Sequence, residues 1–514
     1  MFIREKKNRS GSVSIQIISK VRGRYKLVKT VGCGTERHKI NQLKLQAKQQ
    51  LEELKRQPSL FASADDQLVE QAFSSLSNSH IRTVGPELIF GKIYDHIGFG
   101  AIKESLFRHL VVARLAFPLS KLKTSEYLYR YQGVLLDTDK IYRFLDKLSA
   151  HLKEQVEQIA FAHTQRTLEE DISVVFYDMT TLYFEASDED DLRKTGFSKD
   201  GKHSNPQIII GLLVGLSGYP IGYDVFEGNT YEGHTLIPFL EKMQEKFDIK
   251  KPIVIADSGL LSNNNLKILE DEGYEYIIGA RLRNEPDTIQ QQIIGHGYQD
   301  GDFYCIDKEL TIEKSKRTRR LIVHYSDARA RKDAYNRKKG LERLERRLKS
   351  GRLTKSNINN RGYNKYLKIT GDVTINIDYQ KYESDHVWDG LKGYVTNGKL
   401  SGKMIVDNYT QLWHIERAFR ISKTDLRIRP IYHRLKHRIE AHICIAFTAY
   451  SVYKELERVL KEGKSTLSPQ KANELTHNMY QITYNLPDSK QTKTKLLKMD
   501  EQQAELYKII EENF

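Results

Sequence analysis

The stretch "DISVVFYDMTTLYFEA" at residues 171–186 is the one from which the fold of this chain can be worked out. Ser173 to Tyr177 mix apolar and β-favouring residues, which is typical of a buried strand, and Asp178 follows where such a run usually turns. An aspartate at the exposed end of a strand often has a local role, because its side chain accepts hydrogen bonds from nearby backbone N–H groups. Asp178 alone therefore does not define a site.

Composition narrows the class of protein. The chain has 514 residues, enough for two to four domains, and its 82 Lys and Arg against 67 Asp and Glu give a net charge of +15. Such a surplus favours a polyanionic partner, nucleic acid first. No apolar run approaches the roughly 18 residues of a membrane-spanning helix, so we expect no membrane partner. Cys33, Cys305 and Cys444 are widely separated, which fits a reducing cytoplasm better than a disulfide framework or a zinc pair.

Hydrophobic patterning divides the chain into six regions, at 1–60, 61–168, 169–290, 291–398, 399–460 and 461–514. The first predicts a hairpin over 12–31 plus a helix, a plausible DNA-binding element, and the second is mainly helical after a polar linker at 57–80. In the third, strands alternate with helices, which predicts a mixed α/β sheet. The fourth is β-rich, is interrupted by a basic helix, and is expected to form a separate, smaller sheet. The fifth is helical, and the last is a mostly helical tail.

A second aspartate has the same setting as the first. In "KPIVIADSG" at 251–259, a short β-branched run ends at Ala256 and Asp257 follows. The carboxyl ends of strands are where open α/β sheets bind their ligands. Two carboxylates on adjacent strands would repel each other unless a cation lay between them. Hard oxygen ligands suit Mg²⁺ or Mn²⁺ better than zinc.

A third acid lies in a helical pattern at 403–434. Apolar residues and this acid recur there at steps of three or four: Ile405, Tyr409, Leu412, Glu416 and Phe419. We therefore expect Glu416 on the buried face, where a carboxylate is costly unless it is paired or metal-bound. Arg420 and Lys423 share that face. The alternative is an intrahelical Glu416–Arg420 pair, worth a few tenths of a kcal/mol.

The basic helix of the fourth region is a candidate phosphate-binding surface. Residues 329–355 contain twelve Lys or Arg against three acids. This excess favours contact with DNA phosphates over a merely solvated face. The residues predicted to make these contacts are Arg337, Lys338, Lys339, Arg346 and Arg347.

The order strand aspartate, strand aspartate, helix glutamate, with a β-rich segment before the glutamate, resembles the DDE transposases of bacterial insertion sequences. More narrowly, the chain resembles the subgroup with a Tyr-x2-Arg-x3-Glu-x6-Lys signature. Tyr409, Glu416 and Lys423 have this spacing, but Leu412 stands where the signature has arginine. Other similar stretches are "GFSKDGKHSNPQIIIGLLVG", "VFEGNTYEGHT", "IVIADSGLLS" and "IRPIYHRLKHRIEAHICIAF". The resemblance covers about 170–460.

The resemblance implies a ribonuclease-H-like fold and a metal-dependent enzyme that cuts and joins DNA strands. Asp178, Asp257 and Glu416 would be the catalytic residues and would hold two Mg²⁺ ions, with Mn²⁺ as a substitute. Such ions lie roughly 3.5–4 Å apart, activate water and stabilise the leaving oxygen. Lys423 and Tyr409 would contact DNA, and we add Arg420 as a phosphate ligand. The partners implied are double-stranded DNA, at terminal inverted repeats and target, and a second copy of the chain in a homodimer, in the bacterial cytoplasm with the nucleoid.

Two further motifs leave alternatives open. Trp388, in "DHVWDGLKGY", would stack on a base flipped from the cleaved end, as in hairpin-forming relatives, or it belongs to the core of the small sheet. His433, His437 and His442 have helical spacing, but the pattern lacks a metalloprotease glutamate and indicates a basic helix near the active site.

Rival functions also remain open. One is a host nuclease with the same metal core, and the other is a DNA-binding relative without activity. The presence of all three acids argues against the second. Terminal inverted repeats beside the gene would separate a transposase from the first.

Overall fold

The computed structural model describes residues 1–21, 23–56, 64–74, 76–168, 172–198, 201–247, 250–260, 262–312, 315–351, 353, 357–359, 362–370, 374–486 and 489–514. The chain divides into two compact units, Met1–Ile81 with Ile482–Lys495 and Arg82–Gln481 with Leu496–Phe514. Arg22 of the predicted hairpin turn and positions 57–63 and 75 of the predicted linker lie outside the described residues.

The first unit begins with a three-stranded antiparallel sheet. Its elements are β1 (Phe2–Lys7), β2 (Val13–Val21), β3 (Arg24–Gly34), α1 (Arg37–Arg56) and α2 (Ala64–Ser74). Strands β2 and β3 form the predicted hairpin, and β1 pairs with the other edge of β2. Alternation buries Ile15 and Ile17, and α1 packs on the sheet with Ala47 fully buried. Helix α2 lies inside the predicted linker, so that prediction is wrong for 64–74. The serine-rich residues on both sides made the short helical pattern difficult to recognise.

The other elements follow in chain order. The remaining strands are β4 (Ile81–Thr83), β5 (Val174–Tyr183), β6 (Gln207–Val214), β7 (Pro220–Glu227), β8 (Ile253–Ala256), β9 (Tyr276–Ala280), β10 (Phe303–Ile312), β11 (Ser315–Tyr325), β12 (Leu367–Thr370), β13 (Thr374–Ile377), β14 (Leu391–Thr396), β15 (Tyr480–Asn485) and β16 (Thr492–Leu496). The remaining helices are α3 (Lys92–Ile97), α4 (Ser105–Ala116), α5 (Lys121–Tyr127), α6 (Thr138–Thr167), α7 (Leu236–Phe247), α8 (Asn263–Asp271), α9 (Asp287–Gly295), α10 (Asp327–Lys349), α11 (Tyr379–Ser384), α12 (Gly402–Thr410), α13 (Trp413–Thr424), α14 (Lys436–Glu462), α15 (Pro469–Thr476) and α16 (Glu501–Asn513).

The second unit is built on an eight-stranded mixed sheet with the order β10-β11-β14-β9-β8-β5-β6-β7. The pairs β5–β8 and β8–β9 are parallel, and the other neighbours are antiparallel. All eight residues of β6 are buried, which its continuous apolar run predicts for a strand covered on both faces. Along β5, Phe176 and Leu182 belong to one core, while Val175, Tyr177 and Met179 belong to a second core on the opposite face. The expected mixed α/β class is confirmed.

Three strands of the fourth region, β10, β11 and β14, belong to the main sheet. Strand β14 pairs with β9 from Gly393↔Ala280 to Thr396↔Ile277, and β11 and β10 continue outward from β14. The expectation of a separate sheet is therefore wrong for these three strands. Local pattern identifies a strand but not the edge with which it pairs. Strands β12 and β13 form their own two-stranded sheet. It contributes to a small core beside α10 that contains Leu344, Tyr366, Leu367 and Ile377.

The last fifty residues are also more varied than predicted. Strands β15 and β16 are hydrogen-bonded neighbours between α15 and α16, so the tail is not mostly helical as expected. The alternation of Tyr480, Ile482 and Tyr484 with polar residues is the strand signal that the interpretation missed. Among the described residues, no helix is both long and apolar enough to span a bilayer.

Candidate active site

Two aspartates meet on neighbouring parallel strands. The register of β5 and β8 runs from Val174↔Ile253 to Tyr177↔Ala256. Asp178 directly follows Tyr177, and Asp257 directly follows Ala256. Because side chains alternate along a strand, these two aspartates lie on the same face as Phe176 and Ile255, which belong to one core. The fold therefore places the two aspartates at neighbouring positions on one face of the sheet.

The two aspartates differ in their position along the strand. Asp257 directly follows the end of β8 and is exposed, as expected. Asp178 does not end its strand, and that expectation is wrong: β5 continues to Tyr183 because β6 pairs with it from Phe176↔Val214 to Tyr183↔Gln207. Asp178 is half-buried, and its Oδ1 accepts a hydrogen bond of 2.7 Å from the Met179 N–H. Its carboxylate is thus held on a continuous strand rather than on a mobile turn.

Glu416 lies in the first turn of α13 and is exposed. The expectation that it lies on a buried face is wrong, because Ile415, three residues after the buried Leu412, takes the inward position instead. Helix α13 buries Ile415, Ala418, Phe419 and Ile421. No ion pair joins Glu416 to Arg420, and both of these residues are described. The alternative interpretation, an intrahelical Glu416–Arg420 pair, is therefore wrong.

Tyr409 is hydrogen-bonded to Asp257, and Lys392 lies over the Tyr409 ring. The Tyr409 hydroxyl donates to Asp257 Oδ1 at 3.4 Å, and Gly279 leaves room for it, since a Cβ at that position would lie 2.5 Å from the hydroxyl oxygen. Burial raises the pKa of Tyr409, and the charges of Asp257 and Glu416 raise it further. The Lys392 ammonium lies 4.4 Å from the centroid of the Tyr409 ring. Burial lowers the pKa of Lys392, while Asp257 and Glu416 act in the opposite direction.

Sequence reasoning missed Lys392. It lies on β14, opposite His324 of β11, and reaches the site only because β14 pairs with β9. The signal available was a lysine inside the otherwise apolar strand "LKGYV". Nothing in that local pattern indicates which carboxylates the ammonium faces.

A cleft of about 680 Å³ opens beside these groups and is lined by Asp257, Tyr409 and Trp388. Six cationic side chains also line it, against three aspartates in all; the six are Arg281, Arg283, Arg329, Arg337, Lys365 and Lys392. Several are already paired: Arg283 and Lys365 bind Asp385, and Arg337 binds Asp389. The cleft remains net positive, which suits a phosphate-bearing ligand.

Trp388 is half-buried at the cleft wall. It ends a short turn at Asp385–Trp388, packs against the second core, and has the Arg283 guanidinium 5.6 Å from its ring centroid. The ring therefore has both core contacts and a face toward the cleft, and its stacking role stays a prediction.

The basic helix α10 contributes only part of its predicted surface to the cleft. Arg337 lines the cleft, where its guanidinium also lies 5.5 Å from the Tyr382 ring centroid. Four predicted contacts do not line it: Lys338, Lys339, Arg346 and Arg347. Lys339 pairs with Glu342 at 3.0 Å, and Arg346 Nε donates to the Glu342 carbonyl at 3.2 Å. The five residues thus do not form one surface around the cleft.

Lys423 and Arg420 of α13 differ in their surroundings. Lys423 lines a small cavity with Phe419 and Thr180, and Thr180 is two residues after Asp178 on the same face of β5. Arg420 is exposed and lines neither this cavity nor the cleft. Leu412 is 7% exposed and belongs to the core. Position 412 is therefore a packing position in this structure.

The donor set fits a hard cation in its chemistry. Asp178, Asp257 and Glu416 offer carboxylate oxygens, the ligands that Mg²⁺ and Mn²⁺ prefer. Asp257 Oδ1 is oriented by the Ser258 N–H at 2.7 Å as well as by Tyr409. In the part of the chain that the structure describes, no three or more His, Cys, Asp or Glu side chains converge closely enough to hold an ion. The three acids therefore do not form a closed cage of ligands.

Comparison with known proteins identifies the family of the chain. Residues 169–452, more than half of the chain, match the family described as Transposase DDE domain. The chain therefore belongs to the DDE transposases, a family of nucleotidyl-transfer enzymes whose domains generally use divalent metal ions. The resemblance predicted from the motifs is confirmed at this level. No curated protein matches the chain.

Three solved structures show a partial likeness. A piggyBac transposase synaptic complex with hairpin DNA is 10% identical, with 76% of each chain covered and a TM-score of 0.38. A Mos1 transposase paired-end complex with left transposon end is 12% identical over 31% of this chain and 53% of that one, with a TM-score of 0.16. A Mos1 mariner paired-end complex with Mn is 13% identical over 31% and 54%, with a TM-score of 0.15. TM-scores this low do not establish a shared fold.

Proposed function

We propose that this chain is the transposase of a bacterial insertion sequence and that it cuts and joins phosphodiester bonds at the terminal inverted repeats of that element. The observation that carries the proposal is the pairing of Asp178 and Asp257 on adjacent parallel strands, beside a basic cleft and within reach of the Glu416 charge. The proposal includes the Tyr-Arg-Glu-Lys subgroup, with Leu412 as its departure, and a ribonuclease-H-like catalytic core. The six regions of the sequence are proposed to be separate functional parts of the protein, and the fourth, 291–398, is proposed to be an insertion in the catalytic domain.

The three acids are proposed to hold two Mg²⁺ ions per site, with Mn²⁺ able to substitute. When bound, these ions supply the Lewis acid that activates water and stabilises the leaving 3′ oxygen. The protein itself holds the three metal-binding carboxylates in place. Asp178 is fixed by the continuous strand β5, and Asp257 is oriented by the Ser258 N–H and the Tyr409 hydroxyl. Glu416 would approach the same point from α13.

The cations around the acids are proposed to hold the DNA backbone. Lys392 and Tyr409 line the cleft, and Lys423 lies beside the face of β5 that carries Asp178. Each is proposed to contact a phosphate near the cut, and Arg420 is proposed as an outer contact. The substrate would be double-stranded DNA at both the repeats and the target, bound by a homodimer associated with the bacterial nucleoid in the cytoplasm.

The test is a nicking assay on a labelled duplex that carries the terminal repeats found beside the gene. Asp257→Asn keeps the shape of the side chain, so it should abolish nicking with Mg²⁺ or Mn²⁺ while duplex binding stays largely intact. The matched control is Asp188→Asn, since Asp188 is exposed and has no hydrogen bond or ion pair among the described residues. Near-native nicking by Asp257→Asn would refute the assignment.

The same assay separates a transposase from a host nuclease. A transposase should join the cleaved end to a second, unlabelled target duplex, whereas a nuclease would release the end without joining it. Ca²⁺ should support binding without cleavage in either case.

A further inference from the structure

A second cationic cavity, of about 370 Å³, lies where the end of α4 and the start of α5 meet the chain that follows α13. Six of its lining side chains are basic: Arg114, Lys121, Arg427, Arg429, His433 and His442. None of the residues that line the catalytic cleft lines this cavity. It is therefore a separate place in the unit.

The basic groups at the floor of the cavity are buried, and no acid lines the cavity among the described residues. Arg114, Lys121 and His442 are each 6% exposed, and His433 is 9% exposed. No aspartate or glutamate is among the described residues that line the cavity. Arg114 Nη1 donates to the carbonyl of Leu426 at 3.4 Å, which satisfies one N–H without neutralising the charge. A buried cation with no counter-charge costs several kcal/mol, so this arrangement calls for an anion.

The electrostatics of the floor agree with this geometry. Burial lowers the pKa of Arg114 to about 10, and burial together with Arg114 lowers the pKa of Lys121. No carboxylate opposes either shift. Asp146 does not line the cavity, and its carboxylate accepts hydrogen bonds from Arg438 and His437.

The cavity is open to a ligand at its rim. Arg427 is exposed, and Leu122 and Tyr432 are 55% and 74% exposed. His442 Nε2 contacts the carbonyl of Ile428 at 3.0 Å, whereas its buried Nδ1 has no hydrogen-bond partner. An exposed aromatic ring beside a cationic floor suits a nucleotide, whose base can stack while its phosphate enters the cavity.

We propose that this cavity is a second binding site, specific for a phosphate group, and that nucleic acid supplies that phosphate. Arg114 and Lys121 would bind the phosphate oxygens at the floor, and Arg427 would bind them at the rim. The proposal does not depend on the acids of the candidate active site, so its failure would leave the proposed function untouched. A free phosphate ion has the same chemistry, and the experiment below separates the two sources.

The first measurement is the melting temperature of the full-length chain in chloride and in inorganic phosphate at equal ionic strength. Phosphate should raise the Tm of the native protein by about 2–4 °C more than it raises that of Lys121→Gln. In chloride, Lys121→Gln should melt no lower than the native protein, because it replaces a buried amine that has no acid among the described residues lining the cavity. The matched control is Lys123→Gln, an exposed lysine on the same helix that pairs with Glu126 at 2.9 Å. This variant should keep the full response to phosphate.

Arg427→Gln provides a second variant if Lys121→Gln does not fold, because Arg427 is exposed at the rim. The second measurement is fluorescence anisotropy with a short single-stranded oligonucleotide. Affinity about tenfold lower in Lys121→Gln and Arg427→Gln, but not in Lys123→Gln, would identify nucleic acid as the source of the phosphate. Unchanged oligonucleotide affinity with a lost phosphate response would identify the free ion. An equal phosphate response in all four proteins would overturn the site.

Discussion

Lys392 offers the sharpest test of how the candidate site works. Its ammonium lies 4.4 Å from the Tyr409 ring centroid and within range of the charges of Asp257 and Glu416. Replacing it with methionine removes the positive charge but retains a flexible apolar chain of similar size. The cation–π contact that is lost is worth about 0.5–2 kcal/mol, but the desolvation cost of a half-buried ammonium is also removed. We therefore expect only a small change in Tm for Lys392→Met.

The effect on DNA cleavage should be much larger. If Lys392 binds a phosphate oxygen, the lost charge-assisted hydrogen bond is worth about 1.5–3 kcal/mol. That corresponds to a cleavage rate lower by roughly 10- to 150-fold. The loss of one phosphate contact should also reduce the salt slope of duplex binding by about 0.9.

The pH dependence gives an independent signature. Burial, followed by the charge of Arg329, lowers the pKa of Lys392 below its usual 10.5. As pH rises through the lowered value, the ammonium loses its proton earlier than an ordinary lysine would, so kcat/KM should fall on the alkaline side. In the window between the lowered pKa and 10.5 the unfolded chain binds the proton more tightly, so this group makes stability rise with pH. A falling rate with no loss of stability would therefore separate titration of Lys392 from unfolding.

The assay is nicking of the labelled repeat duplex across a pH series for the native protein, Lys392→Met, Lys392→Arg and the control Lys399→Met. Lys399 is exposed and has no ion pair among the described residues. Lys392→Arg should move the alkaline limb upward because guanidinium stays protonated, and Lys392→Met should lose this limb. A Lys392→Met variant that cleaves as fast as Lys399→Met would refute a role for Lys392 at the phosphate.

Three other predictions follow from the same structure. If the Trp388 ring stacks on a flipped base, an interaction worth about 1–3 kcal/mol, Trp388→Ala should slow second-strand cleavage and leave first-strand nicking intact. Equal loss of both steps, or a much lower Tm, would show that Trp388 is a core residue instead. Each phosphate contact that is lost from α10 should lower the salt slope of duplex binding by about 0.9 without changing sequence preference, and an unchanged slope in the multiple alanine variant would assign the helix face to solvent. That variant replaces Arg337, Lys338, Lys339, Arg346 and Arg347. Burial alone would raise the pKa of Glu455, but hydrogen bonds from His163 and Arg458 lower it from 4.5 to about 2. The stabilisation that this carboxylate provides is therefore present above pH 4.5 and is lost as pH falls toward 2. Glu455→Gln should flatten the Tm–pH curve in that window, and an unchanged curve would contradict the assignment.

Much of the candidate site could be predicted from local sequence. Asp257 follows a β-branched run and does end its strand, because a short buried strand and the turn after it are both encoded by neighbouring residues. The sequence identifies Asp178 as a candidate but predicts the wrong position for it in the strand, because the length of β5 depends on β6, which lies more than twenty residues later. The sequence predicts Glu416 on a buried face because spacing alone does not reveal which of two adjacent residues faces the core, and in the structure that residue is Ile415.

The sequence by itself determined the mixed α/β class and the family, since these depend on short motifs and on the alternation of apolar residues. Its choice of Asp178, Asp257 and Glu416 as the catalytic acids stays a prediction. Only the tertiary structure decided that β10, β11 and β14 extend the main sheet and thereby bring Lys392 to the acids. It also brought Arg114 and Lys121 together with Arg427, about three hundred positions away in the chain. Strand pairing and the burial of charge depend on contacts between distant segments, and their free energy is set by the partner that each segment meets rather than by its own residues.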